Sequence, residues 1–370
     1  MSAPDRAFML ERRYFLDVEI YQQESERIFR PCWINAGRAE RVQSPGSFVA
    51  EDIEGEPLLL VRGRDRLLRA FYNVCRHRGT RLCVEPSGQL GTHITCPSHA
   101  WAYSLDGRLA GAPHMEETPG FSKADYPLRE AGCAEWDGHV FVRLAPEGEP
   151  FEQAFAPVLT KFAPWCVGEL VCVRSVEYDV PANWKLIVQN YSECYHCPVI
   201  HRELNAISPY RAAHNDLTEG AFLGGPMKLA HPGGGLTRTG RRCAAPLPGV
   251  RCEDLQHAYY YLCFPSFLIS LQPDFVLTHR LIRQGPECTR IVCQWLYHPD
   301  AVAQPGFDAS PAVDFWDQVN REDWHLCALS QEGIRSSTYT PGPYSALETM
   351  AAAFDRTYLR ALESQQVPGS

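Results

Sequence analysis

The sequence of 370 residues lacks a hydrophobic run long enough to cross a membrane. Its longest apolar stretch, around Tyr259 to Leu271, is interrupted by Pro265 and is shorter than the roughly 20 residues that a membrane helix needs. The first residues, MSAPDRAFMLERRY, carry charges where a secretory signal would be apolar. These two absences predict a protein that is neither secreted nor embedded in a membrane.

Blocks of Lys or Arg are also missing, and the formal net charge is −9. A nucleic-acid partner would require a basic surface, so we expect none. The sequence contains no G-x-G-x-x-G dinucleotide-binding unit, and the Gly-rich segment from Gly220 to Gly240 lacks the GK[ST] ending of a phosphate-binding loop. We interpret that segment as a loop over a pocket, and the expected ligand is a small molecule.

The length is sufficient for about two domains. Residues 5–30 have a helical pattern, with Phe8, Tyr14, Phe15 and Ile28 among charged residues. Short alternating runs between residues 42 and 144, separated by Gly, Pro and Asp, predict a small all-β unit, which the APEGEP segment at 145–150 ends. Strands are predicted at 171–180, 258–263, 267–271, 275–282 and 291–298, and helices at 184–197, 312–334 and 346–362. The predicted domains are therefore an N-terminal helical segment (1–40), an all-β domain (41–150) and a larger α+β domain (151–370).

Fifteen cysteines are scattered along the chain without regular short spacings, which is typical of a protein from a reducing cytosol rather than of a disulfide framework. Two of them stand out. Cys75-x-His77 and Cys96-x-x-His99 are separated by 18 residues. A zinc ion would accept two thiolates and two imidazoles, but zinc loops usually keep two cysteines on one loop. One Cys and one His on each loop suit a 2Fe–2S cluster, in which two cysteines hold one iron and two histidines hold the other.

A second constellation lies in the segment that begins at Asn183, NWKLIVQNYSECYHCPVIH. On a continuous helix Gln189, Glu193 and His196 would share one face. His196 and His201 would lie about 140° apart, so a break at Pro198 is needed for both to face one ion. Cys194 and Cys197 flank His196, and we expect them to be structural residues rather than ligands.

Two histidines become a metal site when a carboxylate joins them, as in the 2-His-1-carboxylate triad of non-haem Fe(II) oxygenases. With Trp316 at 0° on the predicted helix from Ala312, Asp323 falls at about 340°, inside the apolar stripe, and Asp317 at about 100°, near its edge. A carboxylate aimed into a core is costly unless it is paired or bound to metal. Asp323 is therefore the expected third ligand, and Asp317 is the alternative.

Both motif sets resemble those of Rieske non-haem iron oxygenases. CRHRGTRL and CPSHAWAYSLDGRL resemble the cluster-binding loops, although Ala100 stands where the family commonly has Gly. The segment NWK…QNYSECYH…H resembles the NWK…EN…(D/E)xYHxxxxH signature of the catalytic domains, with Gln189 in place of Glu, and REDW resembles their terminal ligand region. The resemblance implies an α+β fold: an N-terminal Rieske 2Fe–2S all-β domain, and a helix-grip (START-like) catalytic domain against which the N-terminal helix packs.

The resemblance also implies the site. The expected ligands of the 2Fe–2S cluster are Cys75, His77, Cys96 and His99, and those of the mononuclear Fe(II) are His196, His201 and Asp323. Glu193 would bridge the two metal sites, and Asn190 and Tyr191 would orient substrate or water. The family further implies O2 as co-substrate, a separate NAD(P)H-dependent flavin/iron–sulfur reductase and a cytoplasmic homotrimer in which the cluster of one subunit lies near the iron of the next.

Glu at position 193 and the runs YYYLCFPSFLISLQPDFVLTH and FWDQVNREDWHLCALSQ resemble the branch that oxidises N-methyl groups of quaternary ammonium compounds such as glycine betaine. Aromatic rings attract such cations, and we name Tyr261, Phe267, Trp295 and Tyr297 as pocket residues. The expected reaction is monooxygenation with release of formaldehyde. The alternatives are aromatic ring dihydroxylation to a cis-diol and, more remotely, a Rieske electron carrier without oxygenase activity.

Overall fold

The computed structural model describes residues 7–231 and 233–363. The chain divides into two compact units, one of Phe29–Gly148 and one that combines Met1–Ile28 with Glu149–Ser370. Within the described residues, no helix is both long enough and apolar enough to pass through a bilayer. Residues 5 and 6 of the predicted N-terminal helix lie outside the described residues.

The unit of Phe29–Gly148 is built from ten short strands and irregular loops. They are β1 Ile34–Arg38, β2 Ser47–Ile53, β3 Glu56–Arg62, β4 Leu68–Tyr72, β5 Ser87–Gln89, β6 His93–Thr95, β7 Ala102–Ser104, β8 Leu109–Gly111, β9 Glu130–Trp136 and β10 His139–Arg143. Seven form a sheet in the order β1-β10-β9-β4-β3-β2-β5, and β6-β7-β8 form a second, smaller sheet. Phe48, Leu59, Val61 and Phe71 from the larger sheet share one hydrophobic core with residues of the smaller one, so the two sheets support each other.

The other unit has six strands and ten α-helices among its described residues. The strands are β11 Val171–Val180, β12 Phe222–Lys228, β13 His257–Cys263, β14 Phe267–Leu271, β15 Val276–Gly285 and β16 Cys288–Tyr297. The helices are α1 Arg13–Leu16, α2 Val18–Glu24, α3 Phe151–Ala154, α4 Ala156–Phe162, α5 Trp184–Tyr191, α6 Cys197–Ile200, α7 Arg202–Ile207, α8 Pro299–Val302, α9 Ser310–Ile334 and α10 Thr349–Glu363. The strands form an antiparallel sheet in the order β11-β16-β15-β14-β13-β12.

Helix α5 contacts strand β15 of this sheet and also contacts both long helices, α9 and α10. The long helices contact opposite edge strands, α9 against β11 and α10 against β12. Six of the eight residues of α5, Trp184 to Gln189, are buried, which fits a short helix enclosed by its neighbours. The end of α5 is thereby fixed close to the middle of α9, and the functional site forms there.

Three parts of the predicted organisation differ from the structure. The helical segment predicted at 5–30 consists of α1, α2 and a π-helical turn at Ser25–Phe29. The segment that follows belongs to the β unit rather than to a helical segment 1–40, because β1 pairs with β10. Strand β12 lies inside the loop predicted at 220–240. The glycines of this strand made its sequence look like a loop. Glycine is required at position 224, because a Cβ there would collide with the Tyr260 carbonyl oxygen.

Candidate functional site

The two Cys–His loops of the β unit are closed by matching backbone hydrogen bonds. Cys75 N donates to Thr80 O (2.8 Å) and Cys96 N donates to Trp101 O (2.8 Å), so each loop begins at its cysteine and returns five residues later. Asn73 closes the first loop further, because its side-chain oxygen accepts from Leu82 N and Cys83 N at 3.1 and 2.9 Å. The loops are therefore built to present short, fixed sets of side chains.

These loops bring their four predicted ligands together. The sulfurs belong to buried residues, with Cys75 and Cys96 each 2% exposed, and the His77 and His99 rings lie edge to face with centroids 4.8 Å apart. The His77 ring stacks on Trp101 at 4.8 Å, and its Nδ1 is buried with no hydrogen-bond partner among the described residues. Burial raises the pKa of the Cys75 thiol, so a bound cation is needed to favour the thiolate.

The donor atoms distinguish a cluster from a single ion. Among the described residues, ligand atoms of three side chains lie within 4.8 Å of one another only at His196, His201 and Asp323. A zinc site usually keeps two cysteines on one loop, whereas each loop here carries one Cys and one His. A two-iron cluster, with a pair of ligands for each iron, fits this arrangement and the His77 Nδ1 atom that has no partner among the described residues.

In the catalytic unit, the NWK segment anchors the start of helix α5. Asn183 caps the helix by accepting from Lys185 N at 3.0 Å. Trp184 Nε1 and Lys185 Nζ donate to opposite oxygens of Glu24, at 3.0 and 2.5 Å, and Arg283 Nη1 donates to the same carboxylate at 3.0 Å. The side chains of Glu24, Lys185 and Arg283 are at most 1% exposed. The motif therefore fixes the helix that leads into the metal site.

Helix α5 ends earlier than the predicted Cys197. It stops at Tyr191, and the Ser192 hydroxyl turns back to donate to Val188 O at 2.6 Å. The continuous stripe predicted for Gln189, Glu193 and His196 is therefore wrong, because the last two lie in a turn. Pro198 does not break a continuing helix but stands at the first turn of α6, a position that proline favours.

This turn and helix α9 place His196, His201 and Asp323 around one point. Asp323 Oδ1 lies 2.8 Å from His201 Nε2 and 3.2 Å from His196 Nε2, and the two imidazole centroids are 5.1 Å apart. The His201 side chain is 1% exposed, whereas those of His196 and Asp323 are 16% and 17% exposed. Two nitrogens and one oxygen that converge from one side leave room for further ligands on the other, which suits Fe(II).

Each histidine is held from behind by a second carboxylate. His196 Nδ1 lies 2.6 Å from Glu193 Oε1, and His201 Nδ1 lies 2.7 Å from Glu322 Oε2. A carboxylate accepts hydrogen bonds, so both Nδ1 atoms carry protons and both Nε2 atoms are left for the metal. Glu322 was not predicted from the sequence, although its place directly before Asp323 was a signal that could have found it.

The charges of this cluster also fit a cation. Burial opposes protonation of His196, but the carboxylates of Asp323 and Glu193 outweigh it and raise its pKa to about 10. Burial would raise the pKa of Asp323, but hydrogen bonds from His196 and His201 lower it. Carboxylates thus surround two imidazole nitrogens with negative charge, and a divalent ion can replace the protons that otherwise neutralise it.

The alternative ligand Asp317 lies elsewhere. It accepts a 2.6 Å hydrogen bond from Tyr178 and forms a 2.8 Å ion pair with Arg321 on the outer face of α9. Gln189, which stands where the family often has Glu, donates from Nε2 to Asp355 Oδ1 at 2.6 Å and ties α5 to α10. Neither residue belongs to the metal site.

A cavity of about 290 Å³ opens beside the triad. Its aromatic lining consists of Tyr191, Tyr195, Tyr210, Tyr260 and Trp316. The rings of Tyr191, Tyr260 and Trp316 form a continuous wall, with centroids 6.3 Å apart between the first two and 6.2 Å between the last two. Its apolar lining includes Leu204, Leu223 and Val319.

The predicted pocket residues Tyr261, Phe267, Trp295 and Tyr297 do not line this cavity, and the prediction is wrong for all four. Each is at most 3% exposed and packs in the core. The error at Tyr261 is one of phase on strand β13. Tyr261 packs against Phe162 on the other side of the sheet, and the neighbouring Tyr260 faces the cavity.

Asn190 and Tyr191 both line the cavity. The Asn190 side-chain oxygen is buried and has no partner among the described residues, so it can accept a hydrogen bond from a ligand or a water molecule. The Tyr191 hydroxyl is turned to strand β14, 3.0 Å from Ile269 O and 2.9 Å from Ser270 Oγ. Only the ring of Tyr191 is therefore presented to the cavity.

Cys194 and Cys197 form a disulfide on either side of His196. From the sequence, both were expected to be structural residues rather than metal ligands. Two cysteines joined in a disulfide offer no thiolate to a metal. The arrangement is therefore consistent with the prediction that they are not ligands.

The fold and these two sites define the class of protein. The family model described as "Ring hydroxylating alpha subunit (catalytic domain)" matches residues 167–364, and that of the "Rieske [2Fe-2S] domain" matches residues 32–122. The chain belongs to the ring-hydroxylating alpha subunit family and is a Rieske non-haem iron oxygenase. The predicted family, α+β fold, enzyme class, 2Fe–2S cluster and mononuclear iron are confirmed.

Similar proteins are found within this family. The glycine betaine monooxygenase oxygenase subunit of Pseudomonas aeruginosa is 29% identical over 93% of this chain and 86% of that protein. The carnitine monooxygenase oxygenase subunit of Escherichia coli K12 is 37% identical over 54% of this chain and 53% of that protein. The solved structure of the quaternary ammonium Rieske monooxygenase CntA has a TM-score of 0.81 at 24% identity and covers 97% of this chain and 96% of that one.

Proposed function

We propose that this chain is the oxygenase component that hydroxylates an N-methyl group of a small quaternary ammonium compound similar to glycine betaine. The observation that carries the proposal is the aromatic wall of Tyr191, Tyr260 and Trp316 beside the iron ligands. Three rings inclined to one another can surround a trimethylammonium group, and each good contact contributes about 0.5–2 kcal/mol. The names of the similar oxygenase subunits support the same substrate class.

In this proposal, His196, His201 and Asp323 hold Fe(II), and Cys75, His77, Cys96 and His99 hold the 2Fe–2S cluster. When bound there, the cluster would supply single electrons, and the Fe(II) would supply the O2 chemistry for insertion of one oxygen atom into a C–H bond. With two electrons and two protons, the N-methyl ammonium substrate and O2 give the N-hydroxymethyl ammonium product and water. The hydroxymethyl product then collapses to the tertiary amine, formaldehyde and a proton.

The protein's own residues arrange this reaction. The aromatic wall holds the cation so that an N-methyl group faces the iron ligands, while Glu193 and Glu322 keep both imidazoles in the tautomer that binds metal. The unpartnered Asn190 oxygen accepts a hydrogen bond from a water molecule or from the hydroxylated product. The apolar lining limits the access of bulk water.

The electron supply is part of the proposal. We infer a separate NAD(P)H-dependent flavin/iron–sulfur reductase, because the sequence has no dinucleotide-binding G-x-G-x-x-G unit. We also infer a cytoplasmic homotrimer in which Glu193 connects the cluster of one subunit with the iron of the next. Glu193→Gln should keep both metals bound but slow electron transfer between them in single-turnover measurements. Unchanged transfer would remove Glu193 from the route.

The deciding experiment is a panel of quaternary ammonium and aromatic compounds with a surrogate reductase, in which formaldehyde and NADH consumption are measured together. Formaldehyde in proportion to NADH supports N-demethylation, and a cis-diol from an aromatic compound would replace the proposal with ring dihydroxylation. Iron analysis should give about three irons per chain, two in the cluster and one at the mononuclear site. A Rieske electron carrier, which holds only the cluster, would give about two.

A further inference from the structure

Among the described residues that line the cavity beside the iron ligands, Arg211 is the single Lys or Arg. Arg211 lies in the short turn Tyr210–Ala212, between α7 and β12. The turn is fixed by a 3.0 Å hydrogen bond from Tyr210 N to Asn205 Oδ1 and by one of 2.8 Å from Ala212 N to Pro209 O. The guanidinium is therefore carried by a defined backbone segment.

The side chain is also held. Arg211 Nε donates to the Tyr210 hydroxyl at 2.8 Å, and the guanidinium carbon lies 5.5 Å from the centre of the Tyr210 ring. In the part of the chain that the structure describes, no carboxylate forms an ion pair with Arg211, and no group accepts from its two terminal nitrogens. These nitrogens are the atoms with which arginine binds a carboxylate in a bidentate manner.

The other charged groups of the cavity are already matched. Glu193 and Asp323 are hydrogen-bonded to the iron-binding histidines. Arg211 is thus the unmatched positive charge in a cavity whose aromatic wall, by the proposed function, takes a cation. A ligand that satisfies both features carries a quaternary ammonium group and an anionic group.

We propose that Arg211 binds the carboxylate of a zwitterionic substrate and so selects betaines, such as glycine betaine or carnitine, over choline, which has the same trimethylammonium group but no carboxylate. This inference rests on the proposed function and narrows it to carboxylate-bearing substrates. Because Arg211 is exposed, solvent weakens its pair with a carboxylate, and the pair should separate two such substrates by about 2- to 5-fold.

The test compares wild type, Arg211→Gln, Arg211→Lys and the control Arg241→Gln, which alters an exposed arginine outside the cavity lining. For each, kcat/KM is measured for glycine betaine, carnitine and choline, and Kd for glycine betaine is measured by calorimetry. We expect Arg211→Gln to lower the betaine-to-choline ratio of kcat/KM by about 2- to 5-fold and to weaken glycine betaine binding similarly. Arg211→Lys should recover part of both, and the control should change neither.

An equal loss for all three compounds in Arg211→Gln, or a wild type that prefers choline, would overturn the role of Arg211 and leave N-demethylation intact. A wild type that neither binds nor demethylates any of the three compounds would instead reject the proposed function. Iron content and far-UV circular dichroism of each variant show whether a loss comes from misfolding.

Discussion

Replacing Glu322 with alanine removes the carboxylate that holds His201 from behind. Glu322 Oε2 lies 2.7 Å from His201 Nδ1, while its Oε1 accepts a 2.9 Å hydrogen bond from Gln318 Nε2. Without this carboxylate the His201 ring loses the partner that keeps a proton on Nδ1. Part of the imidazole population then carries the proton on Nε2, which cannot bind iron.

The size of the effect follows from this one contact. A hydrogen bond to a charged group contributes about 1.5–3 kcal/mol, and the 30% exposure of the Glu322 side chain favours the lower half of that range. At about 1.4 kcal/mol for each factor of ten, Fe(II) should bind about 10- to 40-fold more weakly to Glu322→Ala. Glu322→Gln keeps an oxygen that can accept from Nδ1, so its loss should be smaller.

The assay is anaerobic titration of Fe(II) into chelator-treated protein, in competition with a chromogenic chelator. The absorbance of the 2Fe–2S cluster serves as an internal reference, because the cluster ligands belong to the other compact unit. Glu332→Ala is the matched control, since Glu332 is an exposed glutamate further along α9 that forms no side-chain hydrogen bond or ion pair with another described residue. If Glu322→Ala binds Fe(II) within twofold of wild type, the carboxylate does not position His201.

Three further changes test the surroundings of the sites. Glu24→Ala should lower the free energy of unfolding by about 3–5 kcal/mol, because Lys185 and Arg283 are left buried without the carboxylate that pairs with them. A loss below about 1 kcal/mol in a urea titration would contradict this prediction. Burial raises the pKa of Asp355 from 3.8 to about 7. Between these two pH values the folded state therefore binds more protons than the unfolded state. The free energy of unfolding should fall as pH rises from about 4 to 7 and then level off. Asp355→Asn should flatten that slope in urea titrations at several pH values, and an unchanged slope would assign it to other groups. Ala100 has a φ of 55°, which costs alanine about 1–2 kcal/mol. Ala100→Gly should therefore stabilise the β unit by up to about 1 kcal/mol after the entropy of glycine is subtracted, and Ala100→Val should destabilise it. Thermal unfolding in which the valine variant is more stable than the glycine variant would contradict this prediction.

Sequence patterns predicted several strands of the six-stranded antiparallel sheet well. The bounds of β11 and β14 agree with the predicted 171–180 and 267–271. Both are dense in β-branched or apolar residues and end at turn-forming residues, so local preference and tertiary packing agree. Strand β12 was missed because its Gly224 and Gly225 serve a close approach between chain segments, which no local pattern encodes.

The proposed metal ligands were accessible to sequence reasoning because their chemistry is unusual at their positions. Asp323 lies within an apolar stripe of a long helix, and only a partner or a metal makes that tolerable. The pocket was less accessible. Alternation along β13 shows that Tyr260 and Tyr261 face opposite ways, but which face meets the cavity depends on helices α5 and α9, far away in the sequence.

The buried cluster around Glu24 has a consequence for the order of events during synthesis. Glu24 emerges early, yet its partners Lys185, Arg283 and Tyr358 follow 161, 259 and 334 residues later. At about 5–20 residues per second, the last of them is made roughly 20–70 s after Glu24. The β unit is contiguous in the chain and can fold within that interval. Helices α1 and α2 cannot complete their contacts until the later partners of Glu24 have been made. The ribosome would thus carry a finished electron-transfer unit, inserted between two halves of an unfinished catalytic one.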